Sequence, residues 1–185
     1  MLAGVFFFSG ITSLVYQVAW QRLLSLHYGV GTVSITLIVS VYMLGLGFGS
    51  LLGGRLAERS SDPFALYAAV EFALGAAGLA SFPLILILGR ISAGPTPAVA
   101  PACLFAFLSL LTLLMGITLP LLAAIFSRLT GAFLASVSRL YFLNTLGAAI
   151  GAILTSYLLV PFIGLDGSVY AAAAVNLCLA ALILG

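Results

Sequence analysis

Three stretches of the chain, residues 23–54, 91–127 and 140–165, contain no Asp, Glu, Lys or Arg. Each exceeds the roughly 20 residues that a helix needs to cross about 30 Å of hydrocarbon. Strands of an outer-membrane barrel would alternate apolar and polar side chains over about ten residues. These stretches do not alternate, so they predict membrane-crossing helices. Of the 185 residues, 64% are hydrophobic and 5% charged, whereas a soluble domain carries about a quarter charged residues. That excludes a water-soluble fold.

Polar and helix-breaking punctuation divides the chain into six expected spans, near 2–26, 32–55, 64–89, 101–127, 137–160 and 167–185. "HYGVGT", "RLAERSSDP", "RISAGPTPAVAP", "SRLTGAF" and "PFIGLDG" supply the Gly, Pro and Asp at which helices stop. The opening "MLAGVFFFSG" lacks the basic start and the cleavage site of a signal peptide, so it reads as part of a retained first span. The last span runs to Gly185 without a cap, which leaves room for a longer natural chain. Arginines set the expected orientation. With the N-terminus inside, inner loops hold Arg55, Arg59, Arg128 and Arg139, and the outer side holds Arg22 and Arg90. Both termini are therefore expected inside, in a cytoplasmic (inner) membrane.

The spans form two halves, about 1–90 and 101–185, within one membrane domain. "GLGFGSLLGG" sets Gly45, Gly49 and Gly53 four residues apart, and the fifth span repeats a shorter version at Gly147 and Gly151. Two three-helix halves joined in this way must be inverted relative to one another, as in transporter repeats. Glycines at that spacing let another backbone approach closely. The expectation is that these faces seek a second copy in a homodimer, or a partner's helices; packing inside the monomer is the alternative.

Several polar residues fall where lipid-facing helices carry leucine. Asn144 shares a helix face with Gly147 and Gly151, flanked by Tyr141 and Thr155. It reads either as an interhelical hydrogen bond or as a ligand contact. Glu71, about eight residues into the third span, is a buried carboxylate of the kind that is paired or functional. Asn144 lies at nearly the same depth, and Arg139, about one turn shallower, is within reach; a contact with either is expected, with a proton- or cation-linked role as the other reading. Ser9, Ser13, Gln17 and Gln21 form a stripe on the first span, bordered by Tyr16 and Trp20. The stripe either lines a hydrated cavity or bonds to other helices. Arg22 either snorkels or meets Asp166. The inner-loop charges Arg55, Glu58, Arg59 and Asp62 are either solvated or a lock between helix ends. Cys103 and Cys178 read as small buried hydrophobes.

Other chemistries are poorly served. His27 has no clustered Cys or carboxylate, so no metal site is expected. No basic tract suits nucleic acid. No Ser/His/Asp set, paired carboxylates or phosphate loop is present, so no catalytic residue and no cofactor is expected in this segment, and it is not read as an enzyme.

"SGITSLVYQVAWQRLL", "GLGFGSLLGGRLAER", "YAAVEFALG", "MGITLPLL" and "LYFLNTLGAAIGA", in this order, resemble the membrane region of the fused, membrane-bound spermidine synthase-like proteins. That region is itself similar to half of a major facilitator transporter. The resemblance implies an all-α, six-helix, half-facilitator architecture, with the aminopropyltransferase-like domain in a soluble part that this chain does not match. It also implies a transporter-like module that handles a polyamine or another small solute, with Glu71, Asn144, Tyr141, Gln17 and Tyr16 facing a cavity. A structural anchor or accessory subunit without transport is the alternative. The family's pattern often has an acidic residue where this chain has Gln17. Spermidine's several positive charges would want several carboxylates or aromatic faces, and within the membrane this chain offers Glu71 with Tyr16, Trp20 and Tyr141.

Overall fold

The computed structural model describes residues 2–28, 32–91, 99–131 and 133–185, and every element among them is helical. The helices are α1 (Leu2–Tyr28), α2 (Thr32–Arg59), α3 (Pro63–Ile91), α4 (Val99–Thr130), α5 (Phe133–Leu154) and α6 (Val160–Leu184), with a π-turn at Thr155–Leu159 joining the last two. Parts of the turns expected at "HYGVGT", "RISAGPTPAVAP" and "SRLTGAF", and the side chain of His27, lie outside the described residues.

Five segments are long and apolar enough to cross a membrane: Leu2–Leu26, Ile38–Arg59, Pro63–Arg90, Ala102–Leu129 and Val137–Leu184. The last is 48 residues long, about 70 Å if it were a straight helix. It is not straight. Gly164 leaves helical backbone at φ 76° and ψ −180°, a region open to glycine and closed to most side chains. Pro161 follows the start of α6, where its missing N–H costs little.

The break between α2 and α3 is built by Asp62. Its Oδ1 accepts from the backbone N–H groups of Phe64 and Ala65, both at 3.1 Å, and Pro63 opens the helix. That satisfies two of the four donors a helix start leaves open. Of the charges between α2 and α3, Asp62 is thus a helix cap. Arg55, Glu58 and Arg59 are exposed.

Helix α1 is central, touching every other helix, while the closest pairings are α2 with α4, α1 with α5 and α3 with α6. The first two are made by glycine. A Cβ on Gly49 would lie 2.8 Å from the Cα of Gly116, and one on Gly53 2.8 Å from the carbonyl oxygen of Ile117. Gly45 faces Thr112, whose hydroxyl lies 3.4 Å from the carbonyl of Val41 on α2. On the other pair, Gly147 faces the carbonyl of Phe7, and a Cβ on Gly151 would lie 2.5 Å from the carbonyl of Ile11. Gly10 of α1 receives Asn144, whose Oδ1 would be 2.8 Å from an added Cβ.

These contacts correct the expectation that the glycine faces seek a second copy. Gly45, Gly49, Gly53, Gly147 and Gly151 are all buried, against α4 and α1 of their own chain. The physical reason is that α4 and α1 carry matching small residues, Gly116 and Gly10, at the crossing points. The two cysteines also depart from expectation, since both are exposed. On helices whose outer faces are apolar, a small hydrophobe sits outside as readily as inside; Phe48, Phe72 and Phe142 are exposed as well.

Alanine at Gly49 or Gly151 is expected to destabilise the folded chain by about 1–3 kcal/mol, since the contacting atoms are backbone and cannot swing away. Alanine at Gly47 or Gly54, where a Cβ meets nothing within 4 Å, should be neutral or stabilising by up to about 1 kcal/mol through helix propensity. Thermal unfolding of the purified variants separates the two pairs by sign.

Candidate functional site

The most concentrated polar chemistry lies where α1, α3 and α6 meet. Glu71 is fully buried there, at 0% exposure. Its Oε1 accepts from the Ser9 hydroxyl of α1 at 2.8 Å and from the Tyr67 hydroxyl, one turn back on α3, at 2.7 Å. Its Oε2 accepts from Nδ2 of Asn176 on α6 at 3.0 Å. Three donors from three helices thus converge on one carboxyl group. Each partner is neutral, and each hydroxyl or amide is able both to donate and to accept.

The expected partners of Glu71 were Arg139 and Asn144, and the structure corrects both. Arg139 is exposed near the start of α5, and Asn144 is committed to the Gly10 crossing. The facing helix differs from the expectation: α3 packs on α6, α4 and α1, while α5 packs on α1 and α4. Asn176 and Tyr67 were not singled out from the sequence. A signal existed for each. Tyr67 precedes Glu71 by one helical turn, and Asn176 is the one amide in the apolar run 169–185.

Beside this node, Tyr16 stacks on Trp20 with ring centroids 5.1 Å apart and an interplanar angle of 19°. Trp20 donates from Nε1 to the Ser81 hydroxyl at 3.0 Å, which donates to the Gly78 carbonyl at 2.7 Å. Tyr16 and Trp20 are buried, so the aromatic border of the first-span stripe faces inward, onto α3. The stripe itself divides. Ser9 joins Glu71, Ser13 bonds back to the Ser9 carbonyl at 2.9 Å, and Gln17 and Gln21 are half-buried. Tyr141 is 61% exposed on the outside of this bundle. Arg22 and Asp166 are both exposed.

Two side-chain atoms near this cluster are buried without a hydrogen-bond partner: the Tyr16 hydroxyl and Asn176 Oδ1. Both residues belong to helices that meet at Glu71. Buried polar atoms without partners are few in folded proteins, and each calls for an explanation.

Two recesses of about 500 Å³ open at the end of the bundle that holds the start of α1. One is bounded by Gly54, Glu58, Pro120, Ser127 and Arg128; Arg128 also donates to the Ala57 carbonyl at 3.3 Å. The other lies among Leu2, Phe64, Phe126 and Arg139. Neither includes Glu71. Among the described residues, no group of three or more His, Cys, Asp or Glu is placed to hold a metal.

With the geometry in hand, comparison with known proteins is informative. Over 183 residues, 97% of the chain, it is 24% identical to the polyamine aminopropyltransferase of Oceanobacillus iheyensis. Over 182 residues, 94% of the chain, it is 31% identical to the polyamine aminopropyltransferase of Corynebacterium efficiens. The chain spans about a third of the length of these curated relatives, 35% and 33% respectively. No family model matches the chain, and no solved structure matches it. The similarity therefore runs nearly end to end here and covers one part of each relative.

Glu71→Ala leaves the Ser9, Tyr67 and Asn176 donors without an acceptor and is expected to cost about 1–3 kcal/mol of stability. Arg139→Ala, outside the node, should stay within about 0.5 kcal/mol of wild type. Denaturation of the two variants side by side checks the corrected partner assignment.

Proposed function

We propose that this chain is the membrane module of a spermidine synthase-like protein, related to polyamine aminopropyltransferases and built as half of a facilitator-type fold. Its principal role in this reading is to hold the enzyme at the cytoplasmic membrane. The observation that carries it is the extent of the similarity: nearly all of this chain, yet only about a third of each relative. The matching part is here a bundle of long apolar helices with long charge-free runs, as expected of an anchor joined to a separate enzyme domain.

Several features support six crossings in two inverted halves. The backbone break at Gly164 divides the 48-residue final segment where a bilayer of about 30 Å would require a turn. The closest helix pairings are preserved when α1 is exchanged with α4, α2 with α5 and α3 with α6. That exchange carries the α2–α4 contact onto α5–α1, the α3–α4 contact onto α6–α1, and the α3–α6 contact onto itself. Small sequence echoes follow the same exchange. Gly10-Ile11-Thr12 and Gly116-Ile117-Thr118 occupy the two crossing points on α1 and α4. Val70-Glu71 and Val175-Asn176 occupy the self-paired contact, where Glu71 and Asn176 meet. Both termini lie inside in this reading, because four of the six arginines fall at the end that holds the start of α1.

The anchor role is favoured over transport because the residues proposed to line a path do not converge. Glu71 is enclosed by its own donors, Tyr141 and Arg139 face outward, and Asn144 is spent on a helix crossing. Polyamine handling stands as the second reading, favoured by the activity named for the relatives and by the Tyr16–Trp20 pair close to Glu71. A homodimer, in either reading, would need a surface other than the glycine faces.

In cells expressing the full-length gene, aminopropyltransferase activity should sediment with membranes and become soluble when residues 1–185 are deleted. Activity that stays membrane-bound without them would remove the anchor role. Vesicles containing the 185-residue chain should take up no spermidine beyond empty vesicles; saturable uptake abolished by Glu71→Gln would favour the transport reading instead.

A further inference from the structure

Of the two recesses at the end of the bundle that holds the start of α1, one has a chemistry that helix packing does not use. Its walls are Leu2 and Ala3 from the first turn of α1, Phe64 from the first turn of α3, and Phe126 and Leu129 near the end of α4. All five are apolar. The remaining lining residue is Arg139, in the second turn of α5. Its side chain is exposed, and among the described residues no hydrogen bond or ion pair engages it. Asp62, two residues before Phe64, is turned onto the backbone N–H groups of α3 and does not line the recess.

The neighbouring recess provides the contrast. There Arg128 donates to the Ala57 carbonyl at 3.3 Å, and Glu58 stands in the same lining. Its cation is partly spent, and a carboxylate is present to repel an anion. Arg139 has neither restraint. This end of the bundle also carries four arginines, Arg55, Arg59, Arg128 and Arg139, against the two carboxylates Glu58 and Asp62, a surplus that attracts anions. A guanidinium presents a planar fork that matches phosphate oxygens, while its alkyl stem lies along apolar surface. A recess of about 500 Å³ is within the range that takes a small ligand.

We propose that the Arg139 recess is a binding site for an anionic phospholipid. The lipid phosphate pairs with the Arg139 guanidinium, and the upper part of an acyl chain lies against the apolar walls. Basic pockets between helices at a membrane surface hold anionic headgroups by the same pairing. A free phosphate would leave the apolar walls unused, and a zwitterionic lipid would bring a cation of its own beside the guanidinium. The inference rests on the proposed membrane reading. Resistance to alkaline extraction measures membrane integration separately, so a chain that integrates and shows no lipid preference fails here alone.

Lipid retention by the purified chain in mild detergent tests the site. Native mass spectrometry reads it, with phosphatidylglycerol and phosphatidylcholine of matched acyl chains. Wild type should retain the anionic lipid in preference. Arg139→Gln should reduce that preference about fivefold, the factor that about 1 kcal/mol for one arginine at an anionic surface represents. Ala3→Phe, which fills the recess and leaves every charge in place, should weaken retention of the anionic lipid as well. Arg128→Gln should leave the preference unchanged. Equal retention of the two lipids overturns the proposal, as does a preference that survives Arg139→Gln. An equal fall in Arg128→Gln reports diffuse charge attraction and overturns the site. Inorganic phosphate that raises the melting temperature as much as the lipid does reassigns the recess to a soluble anion. A preference shown by the 185-residue chain and absent from the full-length protein assigns the recess to a soluble domain instead.

Discussion

Close backbone contact at glycine is the constraint on which the architecture depends. Helices whose outer faces are as apolar as their inner ones gain little from turning one side inward, so hydrophobic burial cannot choose among the ways to pair them. Dispersion and short contacts between backbones do the choosing, and only where a Cβ is missing can they form. Gly49 on Gly116, and Gly147 with Gly151 on the Phe7–Ile11 stretch, set α2 against α4 and α5 against α1. Once those pairs are fixed, α3 and α6 are left to close the bundle together, and the polar node at Glu71 falls at their meeting point.

The glycine register was legible in the sequence because it depends only on helical period. Its partner was not, because the matching residue on the opposite helix is a single glycine, Gly10 or Gly116, with no register of its own to announce it. The same asymmetry governs Glu71. Its depth follows from counting residues, so a buried carboxylate could be foreseen. Its partners depend on which helix lies opposite, and that was set by glycines elsewhere. Arg139 and Asn144 lie on α5, which packs on α1 and α4 and not on α3. Asn176, at the same level on α6, carried no motif beyond being polar in an apolar run. The repeated Gly-Ile-Thr of α1 and α4 would have supplied the missing correspondence.

The arrangement ties the two halves of the chain together at every major contact. No principal pairing lies within a half: α1 meets α5 and α6, α2 meets α4, and α3 meets α4 and α6. Apart from Glu71, its charged side chains lie toward the helix ends. Its inner-end recesses, bordered by Glu58 and Arg128 on one side and Arg139 on the other, lie where a soluble partner domain would approach in the proposed orientation.

Cleavage between the halves tests this account most directly. A protease site placed within residues 92–98 of the intact chain can be cut after purification in mild detergent, and the two fragments then followed by gel filtration. The account predicts that residues before and after the cut stay together as one folded particle, since α1–α5, α2–α4 and α3–α6 all bridge it. Fragments that separate, each keeping its helices folded alone, would contradict it.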